Sequence, residues 1–212
     1  MYKLYWCLAT GAFAPEAVLS EAALDYERIA VDTDKDEHRS PDFLALNPMA
    51  QVPALVLPDG SLMTESAAML LHLVDAAPEA GLAPAPGSPA RAQFDRWLVF
   101  MAANLYEADL RIYYADRYTA DPAGAAAVRT AGLAHLDRSF DILETLLSNA
   151  GPFVLGAGYS ALDPYLAMLV WWHPEPPALY ARCPHIAALC RQVRARPKLA
   201  DLCREHFPTE GP

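Results

Sequence analysis

Residues 47–55 read Asn47-Pro48-Met49-Ala50-Gln51-Val52-Pro53-Ala54-Leu55. A proline at the mouth of an apolar run is unusual, because it gives no N–H to a sheet ladder. The placement makes sense if the Val52–Pro53 peptide is cis and the chain bends at the strand entrance. The Val52 N–H and C=O then turn outward, and an extended peptide-like ligand pairs with them as a short added strand. An ordinary trans proline closing a loop fits the same residues, and the stretch alone leaves both open.

A second motif, Thr64-Glu65-Ser66-Ala67-Ala68-Met69, follows soon after. Ser66 is placed to cap a helix whose free N–H groups attract a carboxylate. Glu65 is placed to take a ligand ammonium. A site holding both suits the α-amino acid end of a small peptide. A plain helix cap beside a solvated glutamate is the other reading.

Outward from these motifs, the chain divides in two. Residues 78–89 hold four prolines and two glycines in twelve positions, which sustains neither a helix nor a central strand. We place a linker there, between segments 1–77 and 90–212. On the N-terminal side the pattern predicts strands at 2–6, 26–31, 54–57 and 62–63. Helices are predicted at 15–23 and 66–75, with a charged loop over 32–42. That order describes a small α/β domain with a mixed sheet. The C-terminal side reads as helices. One lies in 90–119. Another opens at Pro122, with Leu133, Leu136, Phe140, Leu143 and Leu147 on one face. A third covers 160–172, and shorter ones follow Pro184 and Pro197. The overall class is α+β.

Composition narrows the function. The 212 residues are 54% hydrophobic and carry a net charge of −10, so the chain holds a sizeable core and lacks the basic footprint of a nucleic-acid or anionic-membrane binder. No apolar run approaches the ~20 residues that cross a bilayer. The opening Met1-Tyr2-Lys3-Leu4-Tyr5-Trp6 reads as a strand rather than a signal peptide. Cys7, Cys183, Cys190 and Cys203 are scattered without a Cys-x-x-Cys, which argues against a disulfide framework or a zinc site and for the cytoplasm. The six histidines form no ligand-spaced cluster, so no metal is expected. No glycine-rich phosphate loop is present, so no nucleotide cofactor is expected either.

These pieces together resemble the glutathione transferase superfamily, in its bacterial, beta-like form. The marks are Asn47-Pro48-x-x-Gln51-Val52-Pro53-Ala54-Leu55 and Thr64-Glu65-Ser66. His38-Arg39-Ser40-Pro41-Asp42-Phe43-Leu44 and the capping-box variant Ser160-Ala161-Leu162-Asp163 support them. The resemblance implies a thioredoxin-like N-terminal domain followed by an all-helical C-terminal domain that takes the electrophile. It implies glutathione as cosubstrate, no other cofactor, a small hydrophobic electrophile as second substrate, a role in detoxification and a homodimer. Pro53 becomes the cis proline, and Val52 pairs with the cysteinyl main chain. Glu65 and Ser66 hold the γ-glutamyl end, Gln51 lies close by, and His38 reaches for the glycine carboxylate. Lys35 is a second cation in the same loop.

The chemistry of that family turns on the residue after the first strand. A free thiol of pKa ~8.5 is only a few per cent ionised at neutral pH, and a donor aimed at the sulfur raises that share. Here Cys7-Leu8-Ala9-Thr10-Gly11-Ala12 fills the stretch. The cysteine of beta-class relatives falls at Gly11, so a mixed-disulfide thiol is missing, and Thr10 becomes the expected donor. A cap for the following helix is the alternative role for Thr10. Tyr5 is a rival donor. Cys7 is a rival nucleophile, which would make the protein a thiol–disulfide reductase. The resemblance puts the second substrate between the domains, where Tyr106 and Tyr113, seven apart on one helix face, are the candidates for its pocket; a core or dimer contact is the other reading of this aromatic stripe. The histidine–lysine pair of bacterial relatives is absent at Tyr106-Glu107. The run Trp171-Trp172-His173-Pro174 reads as a buried helix end. Isomerisation, and a non-catalytic binding or scaffold role, stay open beside conjugation.

Overall fold

The computed structural model describes residues 1–208. Strand β1 (Tyr2–Trp6) alternates inward Tyr2 and Leu4 with outward Lys3, the period of a half-buried strand. Helix α1 (Phe13–Glu21) carries the chain over to β2 (Tyr26–Ala30), which pairs parallel to β1. Strand β3 (Ala54–Val56) runs antiparallel on the other side of β1, and β4 (Leu62–Met63) antiparallel to β3. The sheet order β2-β1-β3-β4 is the mixed arrangement expected.

Between β2 and β3 the structure departs from the expected loop. A single turn at Glu37–Arg39 leads into helix α2 (Pro41–Leu46). Ser40 caps it by accepting from the Phe43 N–H at 3.3 Å, and Pro41 sits where a helix tolerates proline. Phe43 is its single buried residue, so the periodicity signal is weak. Helix α3 (Ser66–Ala76) follows β4 and packs with α1.

The helical half opens with α4 (Pro89–Phe100) and passes without a break through a π-helical turn at Met101–Tyr106 into α5 (Glu107–Tyr113). Helix α6 (Ala125–Ala150) carries the expected stripe except for Leu133, which is exposed because it lies at the rim of the packed face. Helices α7 (Leu162–Trp171), α8 (Pro176–Arg182), α9 (Pro184–Arg194) and α10 (Ala200–His206) complete the chain. Helix α8 was not foreseen from the sequence.

Every residue of α7 is buried, as expected of a helix that is apolar all round. It touches α1, α4 and α9, so it forms the spine between the sheet half and the helices. Its start is held by Asp163, whose carboxylate accepts from the main-chain N–H of Val154 at 2.9 Å and of Ser160 at 2.7 Å. Burial pushes this carboxyl up to about 7, against the hydrogen bonds that pull it down. Glu16 of α1 meets His206 of α10 at 3.2 Å, which fixes α10 against the sheet half, and Ala161 donates to the Leu82 carbonyl at 2.8 Å, which ties the start of α7 to the linker.

Removing the Asp163 carboxylate leaves two buried N–H groups without partners, at about 1–3 kcal/mol each. Asp163→Ala is therefore expected to lower stability by about 2–6 kcal/mol, read as an earlier urea-unfolding midpoint with an unchanged slope. An unshifted midpoint would contradict this role.

Candidate active site

Three loops of the sheet half meet at one end of β3. The first is 47–53. Asn47 is buried and organises it: its Nδ2 donates to the Gln51 carbonyl at 2.8 Å, and its Oδ1 accepts from the Met49 N–H at 3.1 Å. Ala50 takes a left-handed conformation with φ 54°, and the Val52–Pro53 peptide is cis. Pro53 is buried, whereas Val52 is half-exposed and its N–H and C=O form no hydrogen bond among the described residues. The Gln51 carbonyl is taken by Asn47, and the Gln51 side chain is exposed.

The second loop enters α3. Glu65 sits at φ 64° and ψ 101°, a conformation that costs a non-glycine residue of order 1–3 kcal/mol. The helix starts on Ser66 itself, and no side chain caps it, contrary to the expected Ser66 cap. Ser66 is buried and hydrogen-bonds Tyr165 of α7 instead. The first-turn N–H groups of α3 consequently stay open beside an exposed carboxylate.

The third loop joins β1 to α1. The Thr10 hydroxyl donates to the Cys7 carbonyl at 2.8 Å and accepts from the Ala12 N–H at 3.4 Å. A hydroxyl has one proton, and this one is committed within the loop. Gly11 lies hard against Pro53. A Cβ there would stand 3.2 Å from the Pro53 Cδ and 2.7 Å from the Tyr106 hydroxyl. Tyr106 therefore reaches from the π-helical turn across to the sheet half. Its phenol is pushed well above the usual tyrosine range, by burial first and then by Tyr165 and Glu65 nearby. Pro53, Gly11, Tyr106, Glu65, Ser66 and Tyr165 thus form one neighbourhood.

Other expected residues lie differently. His38 is turned onto its own loop, with Nε2 accepting from Arg39 at 3.3 Å and standing 4.0 Å from Asp36. Its Nδ1 is buried without a partner. Lys35 pairs with Asp32 at 2.7 Å on the surface. Tyr113 is exposed and donates to the Trp172 carbonyl. Trp172 also meets the Tyr106 ring edge-on, with centroids 5.1 Å apart. It is half-exposed, so of the expected buried pair only Trp171 is fully inside. The rivals find other partners: Tyr5 packs edge-on against Phe43, and the Cys7 sulfur sits 3.4 Å from the Thr33 hydroxyl. All four cysteines are free. Among the described residues no group of three His, Cys, Asp or Glu is placed to hold a metal, and no helix is long and apolar enough to cross a membrane.

Sequence reasoning missed Tyr165, Trp172 and Asp109. Asp109 lies one turn beyond Tyr106, is buried, and has neither carboxylate oxygen hydrogen-bonded among the described residues. A cavity of about 520 Å³ elsewhere, lined by Trp97, Leu155 and Tyr159, contains none of the expected site residues. Its lining brings no charged group, so we place the chemistry at the three-loop junction.

Comparison with known proteins identifies the fold. Residues 15–76 match the model of the glutathione S-transferase N-terminal domain. Glutathione S-transferase 3 of Zea mays is 31% identical over 92% of this chain and 90% of its own. The chain belongs to the glutathione S-transferase superfamily. An uncharacterised glutathione S-transferase-like protein of Escherichia coli, YncG, is 29% identical over 97% of this chain and 98% of its own. A solved glutathione transferase homologue from sulfitobacter, with bound glutathione, superposes with a TM-score of 0.86 at 30% identity, covering 95% of this chain and 96% of that one. The superfamily's two-part plan, a thioredoxin-like sheet domain followed by helices, is the fold described above.

Burial holds the Asp109 carboxyl well above the ordinary carboxylate range. The unfolded chain releases this proton from about pH 4, while the folded chain keeps it. Between those two values the unfolded state binds fewer protons, so this group makes stability fall as pH rises. Urea unfolding at pH 5 and pH 8 is expected to show a larger loss for the native protein than for Asp109→Asn. Equal losses would contradict it.

Proposed function

We propose that this protein is a glutathione transferase that adds the glutathione thiolate to a small hydrophobic electrophile. The observation that carries the reading is the unbonded main chain of Val52, beside buried Pro53 and the entrance to α1, in a chain whose relative from sulfitobacter holds glutathione. An extended cysteinyl residue satisfies both groups of Val52 as an added strand. Its γ-glutamyl end then reaches the open first turn of α3, where the N–H groups take the α-carboxylate and Glu65 takes the ammonium. Gln51 borders the tripeptide, and His38 reaches the glycine end only by turning away from Arg39 and Asp36.

Bound this way, the cysteinyl sulfur falls next to Gly11 and the start of α1. The thiol gives its proton to solvent. The sulfur lone pair then forms the S–C bond, and the electrons of the broken bond leave with the departing group or move onto the electrophile's activating carbonyl. The protein contributes proximity and a donor that favours the anion. Segment 1–77 supplies the tripeptide site. Segment 90–212 supplies the wall for the electrophile, with the Tyr106 and Trp172 rings forming its aromatic side and Tyr113 buttressing Trp172.

A homodimer and residence in the cytoplasm belong to the same proposal. Exposed Met49 and Leu62 on the sheet half and Val99 on α4 are apolar surface of the kind that subunit contact covers, and four free thiols suit a reducing compartment. Conjugation is favoured over disulfide reduction because position 11 carries no thiol and the Cys7 sulfur lies 3.4 Å from the Thr33 hydroxyl.

Calorimetric titration with S-methylglutathione tests the binding step without any reaction. Glu65→Gln keeps the shape of the side chain and removes its charge, so affinity is expected to fall about tenfold, the ~1.4 kcal/mol of a modest charged hydrogen bond. Unchanged affinity would contradict the assigned ammonium contact.

A further inference from the structure

We infer that the donor facing the glutathione sulfur is the Tyr106 hydroxyl, delivered from the helical half, and that Gly11 is the space that admits it. The inference rests on the proposed glutathione site and adds which side chain activates the thiol. Three observations lead to it. The Thr10 proton is already committed to the Cys7 carbonyl at 2.8 Å, so that hydroxyl must break a loop bond before it can serve a ligand. The Tyr106 hydroxyl makes no hydrogen bond among the described residues, although its ring is mostly enclosed. A β-carbon on residue 11 would sit 2.7 Å from that hydroxyl and 3.2 Å from Pro53, so the oxygen stands in the volume that a residue-11 side chain would enter.

The last point decides between roles. A cysteinyl residue paired on Val52 directs its sulfur toward Pro53, and a β-carbon on Gly11 would face both the Pro53 ring and the Tyr106 hydroxyl. A side chain at residue 11 and a phenol from residue 106 are therefore alternative ways to reach the same point, and this chain uses the second. The π-helical turn at Met101–Tyr106 re-phases the helix just there, and the Trp172 ring at 5.1 Å braces the phenol from behind. Burial keeps Tyr106 protonated at neutral pH, so it acts as a donor. A neutral donor at the sulfur favours the thiolate, whose proton passes to solvent.

The experiment is a pH titration of the glutathione thiolate absorbance on the native protein, Tyr106→Phe, Thr10→Val and Gly11→Ala. S-methylglutathione binding is measured alongside. Tyr106→Phe removes one oxygen that has no protein partner, so the fold is expected to hold, with an unchanged urea midpoint as the check. The inference predicts that the thiol midpoint rises by about one pH unit in Tyr106→Phe. Turnover below the midpoint then falls about tenfold, with S-methylglutathione affinity retained. Gly11→Ala, which pushes the phenol aside, raises the midpoint in the same direction, and the Gly11→Ala/Tyr106→Phe pair adds nothing to Tyr106→Phe alone. Thr10→Val leaves the midpoint in place. A midpoint unmoved by Tyr106→Phe, or moved by Thr10→Val instead, overturns the inference. So does loss of S-methylglutathione binding in Tyr106→Phe, since the residue would then be building the tripeptide pocket. If the native protein itself fails to bind glutathione, the functional reading fails, a result distinct from the others.

Discussion

The unbonded peptide of Val52 is the feature on which the rest of the site depends. Main-chain groups at the end of a strand ordinarily find partners, because leaving them unsatisfied is costly where water is scarce. Here Asn47 occupies the neighbouring carbonyl of Gln51, Pro53 interrupts the ladder, and Val52 is left with its N–H and C=O available. A site of this kind reads a backbone rather than a side chain. It suits a ligand that brings its own peptide bonds, and it fixes the ligand's direction before any side chain makes contact.

Around that peptide the structure concentrates cost that a purely structural loop would shed. Ala9, Ala50 and Glu65 take left-handed conformations, one in each of the three converging loops. They persist because stiff elements hold the loop ends: β1 and β3 in the sheet, α1 beneath it, and α7 packed behind. The same spine carries Tyr165 to Ser66, so the helical half supports the proposed tripeptide site from behind. The two halves therefore work as one site, and a change in either should be felt at the other.

The sheet half was largely legible in the sequence. β1 and β4 fall at their expected positions, and the turn residues around Pro58-Asp59-Gly60 mark the hairpin. Val52–Pro53 could be singled out because proline at a strand mouth is chemically anomalous, although the residues alone did not choose cis over trans. Helix α2 was hidden because its one buried anchor, Phe43, leaves no periodic stripe. The Ser66 cap was misread because local sequence cannot show that a buried tyrosine nearly a hundred positions away claims the hydroxyl. Tyr106 could be singled out in the sequence as a candidate, but its approach to Gly11 depends on a π-helical turn and on docking of the two halves, neither of which has a local signature. Trp172 was placed inside because an aromatic pair at a helix end looks like core from sequence alone.

The account's central claim is that Val52 presents its main chain to glutathione. Amide chemical shifts followed during a glutathione titration test it most directly. The account predicts the largest movements at the Val52 amide and in the first turn of α3, with Gly11 following and the surroundings of Trp97 and Tyr159 silent. A silent Val52 amide, with movements gathered instead around the cavity at Trp97, would contradict it.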